Sequence, residues 1–210
     1  MRACHDMRSP LRTVRSHAEL FARNRAAPES QDSQQSLDFV VSGAAAAGAV
    51  VDGISDYALA LAIDASRFRQ SPLDILLRSA MAKLAAPIRE SNAEVTYGEL
   101  PTVMGDSDRL VQLFEYLLDN ALRRRGTDRP RIRISAEQRD GAWSFTVSDN
   151  GTPLGEPLEK AFTPFARVHR NQRPGPGLAV CRAIVERHGG NMWGEPSADG
   201  CLFRFTLPEG

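Results

Sequence analysis

Leu113-Phe114-Glu115-Tyr116-Leu117-Leu118-Asp119-Asn120-Ala121-Leu122 is an apolar helical stretch with one amide, Asn120, set among its hydrophobic side chains. Asp106 or Ser107 can cap its start, and the helix is predicted to run to about Arg125. Downstream, strands are predicted over 131–138 and 142–148. They are joined at Arg139-Asp140-Gly141, and Asp-Gly between alternating runs signals a hairpin. Another helix is predicted over 177–187, stopped by Gly189-Gly190, and strands over 191–194 and 202–207 follow. Upstream, 73–88 reads as one helix and Glu94-Val95-Thr96-Tyr97 as extended chain. Helices grouped against an antiparallel-rich sheet make an α+β layer, predicted to begin near residue 69.

The residues before 69 follow another pattern. Met7, Leu11, Val14, Ala18 and Phe21 step by four and three, a helical seam. Pro28-Glu29-Ser30-Gln31-Asp32 breaks it, and Leu37, Val41, Ala44, Gly48, Val51, Ile54, Ala58 and Leu61 form a second seam. Gly43-Ala44-Ala45-Ala46-Ala47-Gly48-Ala49 has so little side-chain volume that a neighbouring helix can approach closely. Two helices alone bury two seams poorly, so residues 1–68 are predicted to form a helical hairpin that pairs with a second copy as a four-helix bundle.

Composition narrows the functional classes. The 210 residues, 42% hydrophobic, are enough to bury a core. Lys+Arg and Asp+Glu are both 26, which leaves no global field for nucleic acid or an anionic membrane. The arginines from Arg123 to Arg133 lack the interleaved aromatics of a nucleic-acid surface. Cys4, Cys181 and Cys201 are odd in number and widely spaced, unlike a disulfide framework or a zinc site. No apolar run is read as approaching the roughly 20 residues of a membrane span, and the expected location is cytoplasmic.

Three places carry chemistry. His5 lies about 180–200° around the helix from Met7 and Val14, so its ring faces away from the seam, and Asp6 beside it can fix the tautomer and raise nucleophilicity. Asn120 either makes a core or helix-end hydrogen bond or offers an oxygen to a magnesium ion that also holds nucleotide phosphates. Asp149-Asn150-Gly151 ends a strand, where a carboxylate can accept from an adenine amino group and a glycine lets the base approach the backbone. Gly175-Pro176-Gly177-Leu178-Ala179 then opens a helix whose free N–H groups suit phosphate, although as isolated strings Asp-Asn-Gly is more often a turn and Gly-x-Gly before a helix more often a cap.

Taken in order, these segments resemble a known family. Cys4-His5-Asp6-Met7-Arg8-Ser9-Pro10-Leu11-Arg12 resembles the H-box of two-component sensor histidine kinases, nearest to the phytochrome-like branch. The Asn120 helix, Asp149-Asn150-Gly151, Phe162-Thr163-Pro164-Phe165, Gly175-Pro176-Gly177-Leu178-Ala179 and Ile184-Val185-Glu186-Arg187-His188-Gly189-Gly190 resemble the N, G1, F and G2 boxes of the same family's ATP-binding domain. The resemblance implies a dimerisation and phosphoacceptor hairpin over 1–68 and an α/β sandwich of the GHKL (Bergerat) ATPase type over 69–210. It also implies ATP with Mg2+ as cofactors, a homodimer, and an aspartate on a response-regulator receiver domain as phosphoryl acceptor. His5 is then the nucleophile, Asp6 its assistant and Ser9 the neighbour that takes the family's water-positioning place. Asn120 holds the metal. Arg123, Asp149, Gly151, Gly175, Gly177 and Leu178 contact the nucleotide, and Arg167, Arg170 and Arg173 belong to a lid that neutralises phosphate charge.

The departures from this pattern cluster around the pocket. Tyr116 replaces a second asparagine four residues before Asn120, on the same helix face. Glu115 does not substitute for it, being about 140° away from Asn120 around the helix. Arg124 stands in an aromatic position near the nucleotide, where its guanidinium plane can also stack. Pro153 and Arg173 replace expected glycines, and Pro174 and Pro176 stiffen the second glycine loop. These changes motivate an alternative, a non-catalytic dimeric phosphotransfer or docking module with a decayed nucleotide site.

Overall fold

The computed structural model describes residues 13–20, 31–153, 158–164, 177–197 and 200–209. Helix α1 includes residues 13–20, and α2 spans Gln31–Leu61. The His17 ring stacks on Phe39 with centroids 4.4 Å apart, joining the two helices. Strand β1 (Arg69–Pro72) follows, then α3 (Leu73–Lys83), α4 (Ala85–Glu90), β2 (Glu94–Tyr97), β3 (Thr102–Gly105) and α5 (Ser107–Arg123). The hairpin β4 (Arg131–Arg139) and β5 (Ala142–Asp149) precedes α6 (Gly177–Arg187), β6 (Met192–Ser197) and β7 (Gly200–Pro208).

The main sheet has the order β2-β4-β5-β7-β6, with β2 parallel to β4 and every other pair antiparallel. Strands β1 and β3 form a separate antiparallel pair. Alternation puts Ile132, Ile134, Phe145, Val147, Phe203 and Phe205 on one buried face of the sheet, with Phe145 stacked on Phe205 at 4.6 Å. Helix α5 covers that face with Leu110, Leu113, Phe114, Leu117, Leu118 and Leu122, and it packs between α3 and α6. The result is the α+β fold expected from the sequence.

Local chemistry fixes the boundaries. Asp106 is the cap of α5, its Oδ1 accepting the Arg109 N–H at 3.2 Å. Asp140 and Gly141 both take positive φ, 50° and 75°, the signature of a two-residue I′ hairpin turn. The single helix predicted over 73–88 is instead two, α3 and α4, separated at Leu84. Pro87 explains the break: it has no N–H to give Lys83, and its ring crowds that carbonyl if the helix runs straight through.

Helix α2 departs from the sequence reading in two ways. Its buried or half-buried stripe is Gly43, Ala46, Val50, Gly53, Tyr57 and Ala60, also spaced three and four, while Leu37, Val41, Ala44, Gly48, Val51, Ala58 and Leu61 of the predicted seam are exposed. Part of the buried stripe faces the sheet domain, since α2 packs against α6 and Ala60 and Tyr57 join the main core. Second, its segment Leu37–Leu61 is long and apolar enough to cross a membrane by length and composition. The expectation that no such run exists is therefore corrected; the small residues at 43–49 lift the mean hydropathy across the interruptions at Asp52 and Asp56.

Candidate nucleotide site

The C-terminal half of α5 and the end of β5 converge on one site, and each element brings one of the predicted polar groups. Asn120 is half-buried on α5, and its Nδ2 has no hydrogen-bond partner among the described residues. An orphaned buried amide is costly, and a half-turn about its last torsion presents Oδ1 in the same place. Nδ2 suits a phosphate oxygen and Oδ1 suits a hard cation, so the side chain fits the magnesium and phosphate groups read from the sequence.

Asp149 is 8% exposed at the end of β5. Its Oδ1 accepts the Gly151 N–H at 2.8 Å, and its Oδ2 faces Arg124 Nη1 at 3.4 Å. Burial pushes its carboxyl above the ordinary 3.8, opposed by the Arg124 charge and by N–H groups of Gly151 and Cys201. Gly151 is required by space: a Cβ there would lie 2.7 Å from Arg124 O and 2.9 Å from Asp149 Oδ1. Asn150 has a structural task, accepting the Arg131 N–H at 2.7 Å and donating to Arg129 O at 3.0 Å.

Arg124, whose guanidinium plane could stack where the family has an aromatic residue, is turned into the protein instead. It is 2% exposed, donates to Thr152 O through Nε at 3.1 Å and through Nη2, and pairs with Asp149. Arg123 is exposed and pairs with Asp119 one turn back, at 2.5 Å. Glu115 is held on another side of α5 by an ion pair to Lys83 of α3, away from Asn120.

Tyr116 points across to α2, where its hydroxyl donates to Asp56 Oδ2. Burial first, and then the Asp56 carboxylate, hold its phenol well above the ordinary 10.0, so it remains the donor at neutral pH. Its ring lies against the start of α6, 3.1 Å from where a Cβ on Gly177 would sit. Leu178 belongs to the core, so what it can offer a phosphate is the main-chain N–H of the first helical turn. Phe162 is buried edge-on to Phe203 at 6.2 Å and beneath the Arg182 guanidinium at 3.9 Å.

His188, read as a structural or surface residue, is structural. Its ring stacks on Phe68 at 4.5 Å, its Nε2 accepts the Asp106 N–H at 3.0 Å, and its Nδ1 donates to Ile184 O at 2.7 Å. It therefore ties the start of α5 to the end of α6 and to the segment entering β1. His5, Asp6, Ser9, Arg167, Arg170, Arg173 and Gly175 lie outside the described residues. Sequence reasoning missed the roles of Asp56 and Thr152, for which only the three-dimensional contacts give a signal.

Comparison with known proteins shows the family. Residues 105–210 match the family model described as "Histidine kinase-, DNA gyrase B-, and HSP90-like ATPase". The phytochrome-like protein Cph1 of Synechocystis sp. is 32% identical over 215 residues, covering 99% of this chain and 28% of its own length. The chain thus spans little more than a quarter of that relative. A structure of the catalytic domain of histidine kinase ThkA superposes with a TM-score of 0.60 at 30% identity, covering 68% of this chain and 96% of that one. The structure of ThkA with response regulator protein TrrA gives a TM-score of 0.75 at 24% identity, covering 100% of this chain and 60% of that one, a likeness of fold. With the Asn120 helix, the Asp149-Asn150-Gly151 turn and the α6 start brought to one site, the chain belongs to the histidine kinase-, DNA gyrase B- and HSP90-like ATPases, on their histidine kinase side.

Proposed function

We propose that the chain is the core of an ATP-dependent protein histidine autokinase. Residues 1–68 are its dimerisation and phosphoacceptor hairpin, and 69–210 its nucleotide-binding domain. The observation that carries this reading is the unpartnered amide of Asn120, one turn from Tyr116, whose ring lies against the start of α6, on the helix whose C-cap Arg124 pairs with Asp149. Asn120 would hold Mg2+, which when bound supplies charge neutralisation to the phosphates. Asp149 and the Gly151 turn would receive the adenine edge, and the free N–H groups of the first turn of α6 would receive phosphate oxygens. His5 would attack the γ-phosphorus, forming an N–P bond as the bridging O–P bond to ADP breaks, with Asp6 taking up the ring proton. The phosphoryl group would then pass to a receiver-domain aspartate.

The exposed stripe of α2 supports a homodimer. Leu37, Val41, Val51 and Leu61 are 41–60% exposed, an apolar face that a second copy would cover as a four-helix bundle. The central test is a phosphate-affinity gel on wild type and His5→Ala at saturating Mg-ATP. A shifted band that depends on His5 is expected, and equal signal from both proteins refutes the autokinase.

The non-catalytic docking module has one specific observation in its favour: Asp149 and Tyr116 already have protein partners, Arg124 and Asp56. Calorimetric titration with a non-hydrolysable ATP analogue and Mg2+ separates the two readings. Micromolar binding is expected for the kinase, and no heat of binding supports the module.

A further inference from the structure

Arg124 is built into the site more thoroughly than a nucleotide-facing arginine needs to be. Its side chain is 1% exposed and that of Asp149 4%. Its own N–H donates to Asn120 O at 3.1 Å, and its carbonyl accepts the Thr152 N–H at 2.7 Å. The guanidinium grips the Thr152 carbonyl through Nε and Nη2 while Nη1 faces Asp149 Oδ2. One residue therefore fastens the last turn of the helix bearing Asn120 to the turn bearing Asp149 and Gly151. Arginine suits this task because its five donors sit in a rigid fork, so two acceptors can be held at a fixed angle.

We propose that Arg124 is a positioning residue that fixes Asp149 as the acceptor for the exocyclic amino group of a 6-aminopurine nucleotide. The reasoning rests on the ATP-binding reading above and adds to it the origin of base selectivity. Gly151 N–H fixes one carboxylate oxygen and Arg124 the other, so the rotation of the group is set before any ligand arrives. With the Cys201 N–H as a third donor, the roughly four acceptor sites of the carboxylate leave one lone pair, which a base edge with an N–H donor can use. The adjacent guanidinium offsets the carboxylate charge, so a neutral amino donor is served without a cation. A base bearing a carbonyl at the same position would set oxygen against oxygen.

The test compares ATP with purine riboside triphosphate, which lacks only the 6-amino group, by calorimetry in Mg2+ on the whole chain. Wild type should prefer ATP roughly tenfold, the worth of one hydrogen bond to a charged acceptor. In Arg124→Met the preference should fall to about twofold, with the purine analogue bound nearly as in wild type. Arg124→Lys keeps the charge but not the fork, so it should fold as wild type by circular dichroism and show a preference of about threefold. Equal weakening of both nucleotides in either folded variant, or an unchanged preference, overturns the positioning role. Wild type that binds both nucleotides equally overturns the amino contact while leaving nucleotide binding intact. Wild type that binds neither refutes the ATP reading and this proposal with it.

Discussion

Replacing Tyr116 by phenylalanine should loosen α2 from the sheet domain and leave the rest of the fold intact. The change removes one hydroxyl that donates to Asp56 Oδ2 and keeps the ring that packs against the start of α6. No cavity opens, so the loss is that of the hydrogen bond alone. Bonds to charged groups contribute about 1.5–3 kcal/mol, and this half-buried pair belongs at the lower end, about 1.5 kcal/mol. That corresponds to a roughly tenfold rise in local opening. Helix α2 depends on tertiary contacts through Val50, Gly53, Tyr57 and Ala60, so its amides should report the change. Hydrogen exchange followed by mass spectrometry should show residues 50–61 exchanging about tenfold faster, with β5 and β7 unchanged. Asp56→Asn keeps an acceptor but loses the charge, and should give about two- to fivefold. Unchanged exchange over 50–61 in Tyr116→Phe, or an equal rise in β5 and β7, refutes the reasoning.

Asn120→Ala should alter stability by less than about 1 kcal/mol, because the amide gives up no described partner at Nδ2, yet weaken Mg-nucleotide binding at least tenfold in calorimetry. Gly151→Ala should cost about 1–3 kcal/mol in urea unfolding, since its Cβ would press on Arg124 O at 2.7 Å; an unchanged midpoint contradicts the close approach. Phe162→Ala should cost about 3–5 kcal/mol, removing a side chain 4% exposed between Phe203 and Arg182. Burial lowers the pKa of His188 below its ordinary 6.5, so its contribution to stability is full above 6.5 and is lost as pH falls from there through the lowered folded value. Urea midpoints at pH 7.5 and 5.5 should therefore fall further for wild type than for His188→Gln, and parallel falls would exclude this role.

The parts of the fold legible in the sequence are those specified by neighbours along the chain. Asp140-Gly141 announces the β4–β5 turn because both residues tolerate positive φ, and Asp106 announces α5 because a short carboxylate caps it. The order of polar motifs was legible for a similar reason, each being tied to the end of a strand or the start of a helix. What was not legible depends on contacts between distant residues. Helix α2 carries two apolar stripes with the same spacing, and periodicity alone does not say which one meets the sheet domain. The pairing of Arg124 with Asp149, 25 residues away, arises only when the end of α5 meets the end of β5. The break at Leu84 was hidden by an apolar rhythm that continues on either side of it, and only the missing N–H of Pro87 betrays it.

The departures from the family pattern also gain a common explanation. Tyr116 and Arg124 each differ from a residue the family pattern implies near the pocket, and each has a partner within the chain: Asp56 for Tyr116, and Asp149 with Thr152 for Arg124. Both substituted groups are satisfied, whereas Asn120 Nδ2 has no hydrogen-bond partner among the described residues. Tyr116 thus holds α2 to α5, and Arg124 holds α5 to the β5 turn. On the proposed reading, nucleotide affinity would come from Asn120, the first turn of α6 and the spare lone pair of Asp149. Breaking the Arg124 grip should thus alter base selectivity, whereas freeing Tyr116 should chiefly alter how α2 sits on the domain.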